Sequence, residues 1–135
     1  MKHKMILLVA AIAAIALLSG TAAYAHHSFG ATYNGKETIT LEGKLVQFIF
    51  RNPHSFVNIE APDAQGVTQR WSVEWSGTGA LAGQGVNRQT LRVGDEIIIT
   101  GRPSRTPGEL RVQMLTLHRP LDGFGWGDRP GEVID

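Results

Sequence analysis

The segment TITLEGKLVQFIF, residues 38–50, most narrowly restricts how this chain can fold. Its apolar side chains fall on odd positions at Ile39, Leu41 and Leu45 and then switch to even positions at Val46, Phe48 and Phe50. Successive side chains of a strand point to opposite faces of a sheet, so this change of phase predicts a strand with a bulge or bend. Gly43 lies where such a bend is expected. Strands that serve two faces in turn are what closure into a small barrel requires.

Four further strand patterns follow, and two of them frame a glycine-rich stretch. GTGALAGQGV, residues 77–86, leaves room for one or two helical turns between the third and fourth strands. The last strand repeats the phase switch, between Met114 and Leu115. The pattern predicts an all-β fold, a small five-stranded OB-like barrel with a short helical insert between strands 3 and 4. A small β-sandwich is the alternative. The four later strands are predicted at residues 55–60, 68–76, 96–101 and 110–118.

The N-terminus has the organisation of an export signal. Lys2 and Lys4 precede the apolar run Met5–Leu18, and Ala23 and Ala25 supply the small residues of an A-x-A cleavage site. The run is shorter than the roughly 20 residues of a membrane span. We therefore expect a cleaved signal peptide and a periplasmic or secreted protein with no membrane span after cleavage.

Cleavage leaves 110 of the 135 residues, enough for one small domain. We predict a signal peptide at 1–25, an N-terminal arm at 26–37, the barrel at 38–118 and an irregular Gly/Pro-rich tail at 119–135. Without the two leader lysines, 11 basic residues face 12 acidic ones. A near-neutral charge does not predict nucleic-acid binding, which needs a clustered basic face.

The absence of cysteine limits the chemistry further. Disulfides, a lipid-anchoring cysteine and thiolate metal ligands are all excluded. Any metal site has to use imidazole, carboxylate and backbone groups.

Several motifs together resemble one known family. AHHSF after the leader, LEGKLVQFIFRNPHSFVNIEAPD, WSVEW and LRVGDEIIITGRPS are similar to the small exported bacterial proteins of domain-of-unknown-function family 6152. The resemblance extends from His26 to about His118. It implies that the protein is exported and shares the fold of this family. The family has no established activity that the resemblance could imply.

Two adjacent histidines follow the predicted cleavage site. After cleavage behind Ala25, the α-amino nitrogen and ring Nδ1 of His26 can chelate one ion. Such nitrogen donors suit Cu(II), which has the highest affinity among the divalent first-row ions. His27 offers a competing mode through its ring, the terminal amine and the intervening peptide nitrogen. A structured site also needs an imidazole from the fold. His54, on the NPH turn at the start of a strand, is a better candidate than His118.

Simpler interpretations of these histidines remain open. His54 can form an ordinary hydrogen bond at the turn, and the arm can be an unstructured tail. The mature N-terminus can also bind copper weakly as an exposed peptide, without help from the barrel.

Trp71 and Trp75 lie four positions apart on one face of the third strand. Core packing is the expected role, and a ligand-binding aromatic platform is the alternative. Glu74 lies on the opposite face and is expected to be solvated. WSGTG lacks the first glycine of the G-x-S-x-G nucleophile motif, and GTGALAGQG is no dinucleotide fingerprint. We therefore expect a protein that acts by binding a small ligand, a metal or a protein and not by catalysis.

Overall fold

The computed structural model describes residues 29–127. Within this range the chain forms two short helices and six strands. They are α1 Phe29–Thr32, β1 Ile39–Ile49, β2 Phe56–Pro62, β3 Thr68–Glu74, α2 Thr78–Ala82, β4 Glu96–Pro103, β5 Arg111–Arg119 and β6 Phe124–Trp126. None of the helices in this part of the chain is long and apolar enough to cross a membrane.

The first five strands close into a barrel. Their order in the sheet is β3-β2-β1-β4-β5, with antiparallel neighbours throughout. A parallel pairing between Ser72–Glu74 of β3 and Arg111–Gln113 of β5 joins the two ends. The predicted five-stranded OB-like barrel, with α2 between β3 and β4, is confirmed.

The predicted bend of β1 lies where the apolar pattern changes phase. Residues 39–44 pair with β4, and residues 44–49 pair with β2, with a register shift between Leu45 and Gln47. At Gly43 the backbone passes so close to β2 that a Cβ atom would overlap the carbonyl oxygen of Glu60. Because glycine has no Cβ atom, the two strands can approach this closely.

The barrel interior is filled mainly by branched aliphatic side chains together with two tryptophans, Trp71 of β3 and Trp75 directly after it. Trp71 and Trp75 are 9% and 2% exposed, and Val73 between them is fully buried. The indole Nε1 of Trp71 donates to the carbonyl oxygen of Ala61 at 3.2 Å. This placement agrees with core packing, and it buries the faces that an aromatic platform would need to expose.

Two segments differ from the sequence expectations. The arm, for which the sequence predicts no regular element, contains the helical turn α1, closed by a hydrogen bond of 2.7 Å from Tyr33 N to Phe29 O. The tail, expected to be irregular from residue 119, forms β6, which pairs with Leu117–Arg119 of β5. Three residues are too few to show a strand period, so the sequence carries no signal for β6. The predicted signal peptide and residues 128–135 lie outside the described residues.

Candidate functional site

A buried carboxylate on the outer face of the barrel is the centre of the candidate site. Glu74 closes β3, and its side chain is 10% exposed. Its Oε2 accepts a short hydrogen bond from the Tyr33 hydroxyl and an ion-paired one from Arg111 Nη2 at 2.6 Å. Its Oε1 lies 3.0 Å from His54 Nδ1. One carboxylate thus connects the N-terminal arm, the turn before β2 and β5.

The expectation that Glu74 is solvated is wrong, because the arm covers it. Asn34 N donates to Pro103 O, and Arg105 N donates to Thr32 O, both at 2.9 Å. These bonds fix the arm along the end of β4 and bring Tyr33, which is 1% exposed, over Glu74. The face of β3 on which Glu74 lies was predicted correctly. The exposure of Glu74, however, depends on Tyr33, which is 41 positions away in the sequence.

The surroundings keep Tyr33 protonated and Arg111 charged. Burial, followed by the hydrogen bond to Glu74, raises the pKa of the Tyr33 phenol well above its usual range. Burial on its own lowers the pKa of Arg111, but Glu74 and Tyr33 together raise it above the ordinary value. Both groups therefore donate to Glu74 at neutral pH.

His54 sits at the edge of this cluster, immediately before β2. Its side chain is 31% exposed. The ring of Phe29 meets the imidazole edge to face, with ring centroids 5.2 Å apart. Nδ1 is buried beside Glu74 without a well-aligned hydrogen bond, and no residue in the range 29–127 forms a hydrogen bond with Nε2. The imidazole thus has one nitrogen turned to the carboxylate and one available for a ligand.

Of the other histidines considered as metal ligands, His118 is described by the structure, whereas His26 and His27 are not. His26 and His27 lie outside the described residues, but they precede Phe29 by three and two positions. Three residues of chain span at most about 10 Å. His118 lies on β5, seven positions after Arg111, and seven residues of strand span about 23 Å. The structure therefore brings Phe29, the first described residue of the arm, to His54 and leaves His118 away from this cluster.

Among residues 29–127 there is no group of three His, Cys, Asp or Glu side chains arranged to hold a metal ion. His54 and Glu74 supply two such groups. A metal site of three such groups at His54 would therefore need a donor from outside residues 29–127.

Comparison with known proteins assigns the family. Residues 13–111 match the family of unknown function DUF6152. The chain belongs to this family. No curated protein matches this DUF6152 protein significantly. Among solved structures, it is similar to the mitochondrial single-stranded DNA-binding protein Rim1 of S. cerevisiae, with 12% identity and a TM-score of 0.46. That alignment covers 62% of this chain and 93% of the other.

Three residues of the cluster in this DUF6152 protein were not identified as a site from the sequence. Tyr33 lies in an arm without periodicity, and Arg111 resembles any outward-facing residue of a strand. Glu74 gave the one usable signal, since it is a lone charge between two tryptophans in WSVEW. If such a carboxylate is buried, it is expected to have paired partners.

Proposed function

We propose that this protein is an exported, periplasmic binding protein that holds a Cu(II) ion at the junction of its mature N-terminus and the barrel. The amine and ring of His26 form one chelate, and the ring of His54 completes the set of nitrogen donors. His27 is the alternate donor from the arm. The protein acts by binding this ion and not by catalysis.

One observation carries the proposal: Phe29 packs against His54 with ring centroids 5.2 Å apart. His26 precedes Phe29 by three positions, so a terminus at His26 is within reach of the imidazole. Docking of the arm through Tyr33 supports this geometry, because it holds the terminus near the barrel at a high effective concentration.

Processing provides the first test. Protein purified from the periplasm without a tag should have the intact mass of residues 26–135, with His26 at its start. A retained leader, or a start beyond Ser28, removes the terminal-amine chelate and contradicts the proposal.

Copper titration against a competing chelator provides the second test. Adding three glycines before His26 moves the amine away while every side chain remains. A single glycine would instead place His26 and His27 at the second and third positions, where their rings can chelate Cu(II) together with the terminal amine and the peptide nitrogens. We expect the three-glycine variant and His54→Ala each to bind Cu(II) roughly 100-fold more weakly, the lower end of the gain from linking two binding groups. His118→Ala is the matched control and should bind as the wild type does.

The two variants distinguish the alternatives. If the glycine-extended chain binds as tightly as the mature one, the chelate is not the site. If His54→Ala alone has no effect, the N-terminus binds copper as an exposed His-His peptide, and the barrel has no part in it.

A further inference from the structure

The two oxygens of Glu74 have different partners. Oε2 accepts from two strong donors, the Tyr33 hydroxyl and Arg111 Nη2. Oε1 faces only His54 among the described residues, with Nδ1 at 3.0 Å. Because the side chain is 90% buried and held at Oε2 from two elements, the carboxylate cannot turn without breaking both of those bonds.

This arrangement determines where a neutral His54 carries its proton. A neutral imidazole has one N–H donor and one nitrogen lone pair. With the lone pair on Nδ1, two electron-rich atoms would face each other at 3.0 Å, one of them anionic. With the proton on Nδ1, the same contact is attractive and needs only a small ring rotation to become a hydrogen bond.

We propose that Glu74 is the positioning residue of the site: it holds the proton of neutral His54 on Nδ1 and leaves the lone pair of Nε2 free as the metal donor. Carboxylates behind metal-binding histidines commonly fix the tautomer and the ring orientation in this way. The choice of copper rests on the proposed function, whereas the tautomer itself is a property of the metal-free protein.

The variant Glu74→Gln tests the tautomer. Its side chain keeps the shape but has one carbonyl oxygen and one NH₂ group. Tyr33 and Arg111 both need an acceptor, so the oxygen takes the position of Oε2 and the NH₂ group faces His54. Nδ1 then becomes the acceptor, and the proton moves to Nε2, where it blocks the metal donor.

Long-range ¹⁵N–¹H NMR of the metal-free protein at mildly alkaline pH shows which ring nitrogen of His54 carries the proton. The chain from His26 to Asp135 has four histidines, and the spectrum of His54→Ala assigns the His54 signal. We expect the Nδ1–H tautomer in the wild type and the Nε2–H tautomer in Glu74→Gln. Glu60→Gln, the same change at an exposed carboxylate of β2, should leave the tautomer unchanged.

Copper affinity is the second readout. Glu74→Gln should bind Cu(II) about 10- to 100-fold more weakly, as is typical when the partner of a metal-binding histidine is lost. Glu60→Gln should not. If Glu74→Gln does not fold, Glu74→Asp replaces it, since a side chain shorter by one methylene withdraws the carboxylate from His54 while keeping its charge.

The outcomes separate the two proposals. A wild-type His54 in the Nε2–H form, or a tautomer unchanged in Glu74→Gln and Glu74→Asp, overturns the role of Glu74 whatever copper does. The expected tautomers support that role. If they are found while His54→Ala binds copper as the wild type does, the copper proposal fails and the control of the tautomer by Glu74 stands.

Discussion

At the scale of single residues, Tyr33 decides how the candidate site is built. It belongs to a segment without hydrophobic periodicity, yet it is 1% exposed and donates to a buried carboxylate. Arg111 lies over its ring, with the guanidinium carbon 5.8 Å from the ring centroid. The phenol therefore joins the arm to the barrel through packing and through a hydrogen bond.

The raised pKa of Tyr33 predicts a loss of stability at alkaline pH. Below the ordinary tyrosine pKa of about 10, both the folded and the unfolded chain keep the phenol proton, and the stabilising effect is complete. Above it, the unfolded chain loses a proton that the folded chain keeps, so the free energy of unfolding falls as pH rises. In urea unfolding, the free energy of unfolding of the wild type should fall as pH rises through this range. In Tyr33→Phe, the part of this fall that comes from the tyrosine should be absent.

A spectroscopic titration checks the same prediction independently. Tyr24 lies in the predicted leader, so Tyr33 is the one tyrosine in the sequence from His26 onward. Tyrosinate absorbance should therefore appear only when the protein unfolds in alkali. Titration near the ordinary pKa in the folded protein would show that the phenol is not held as described.

Glu74 shows what a residue pattern can and cannot predict. Period-2 alternation placed it on the face opposite Trp71 and Trp75, and the strand has that register. Its burial comes from Tyr33, which is distant in sequence, and local alternation contains no information about such a contact. The same limit applies to Arg111, whose role depends on the parallel pairing of β3 with β5.

At the scale of elements, β1 was the most predictable part of the fold. The change of phase in its apolar residues reflects a real change of neighbour, from β4 to β2. Short elements with few packing positions were not predictable in this way. The helical turn α1 and the three-residue strand β6 depend on contacts with the surface of the barrel.

The close approach of β1 and β2 at Gly43 gives a stability prediction for this residue. A Cβ atom there would overlap the carbonyl oxygen of Glu60, which belongs to the backbone and cannot move aside alone. Gly43→Ala should therefore lower the free energy of unfolding by roughly 2 kcal/mol, in the range for overpacked sites. The measurement is the urea midpoint, followed by tryptophan fluorescence.

Gly35→Ala is the matched control, because nothing lies within 4 Å of a Cβ atom at that position. Its effect should stay within about 0.5 kcal/mol, as for ordinary surface substitutions. Equal effects of the two substitutions would mean that the close approach of the strands does not exclude a side chain at Gly43.

At the scale of the whole molecule, the arm is part of the folded unit, although the barrel closes without it. The arm docks through backbone hydrogen bonds to Pro103 and Arg105, through Arg105 Nε on Gly30 O at 2.9 Å, and through Tyr33. These contacts all lie at residue 29 or later. The donors proposed for copper in the arm, by contrast, lie before residue 29, so stability and metal binding can be separated by where the chain begins.

Three chains, starting at His26, Phe29 and Lys36, test this separation. The chain from Phe29 keeps every docking contact described above, so it should unfold at the same urea concentration as the chain from His26 and bind copper far more weakly. The chain from Lys36 loses Tyr33 and exposes Glu74, so it should be less stable by about 3 kcal/mol or more, as for truncation of a buried aromatic side chain. Equal stability of all three chains would show that the arm does not dock. A chain from Phe29 that binds copper as tightly as the chain from His26 would place the ion elsewhere on the molecule.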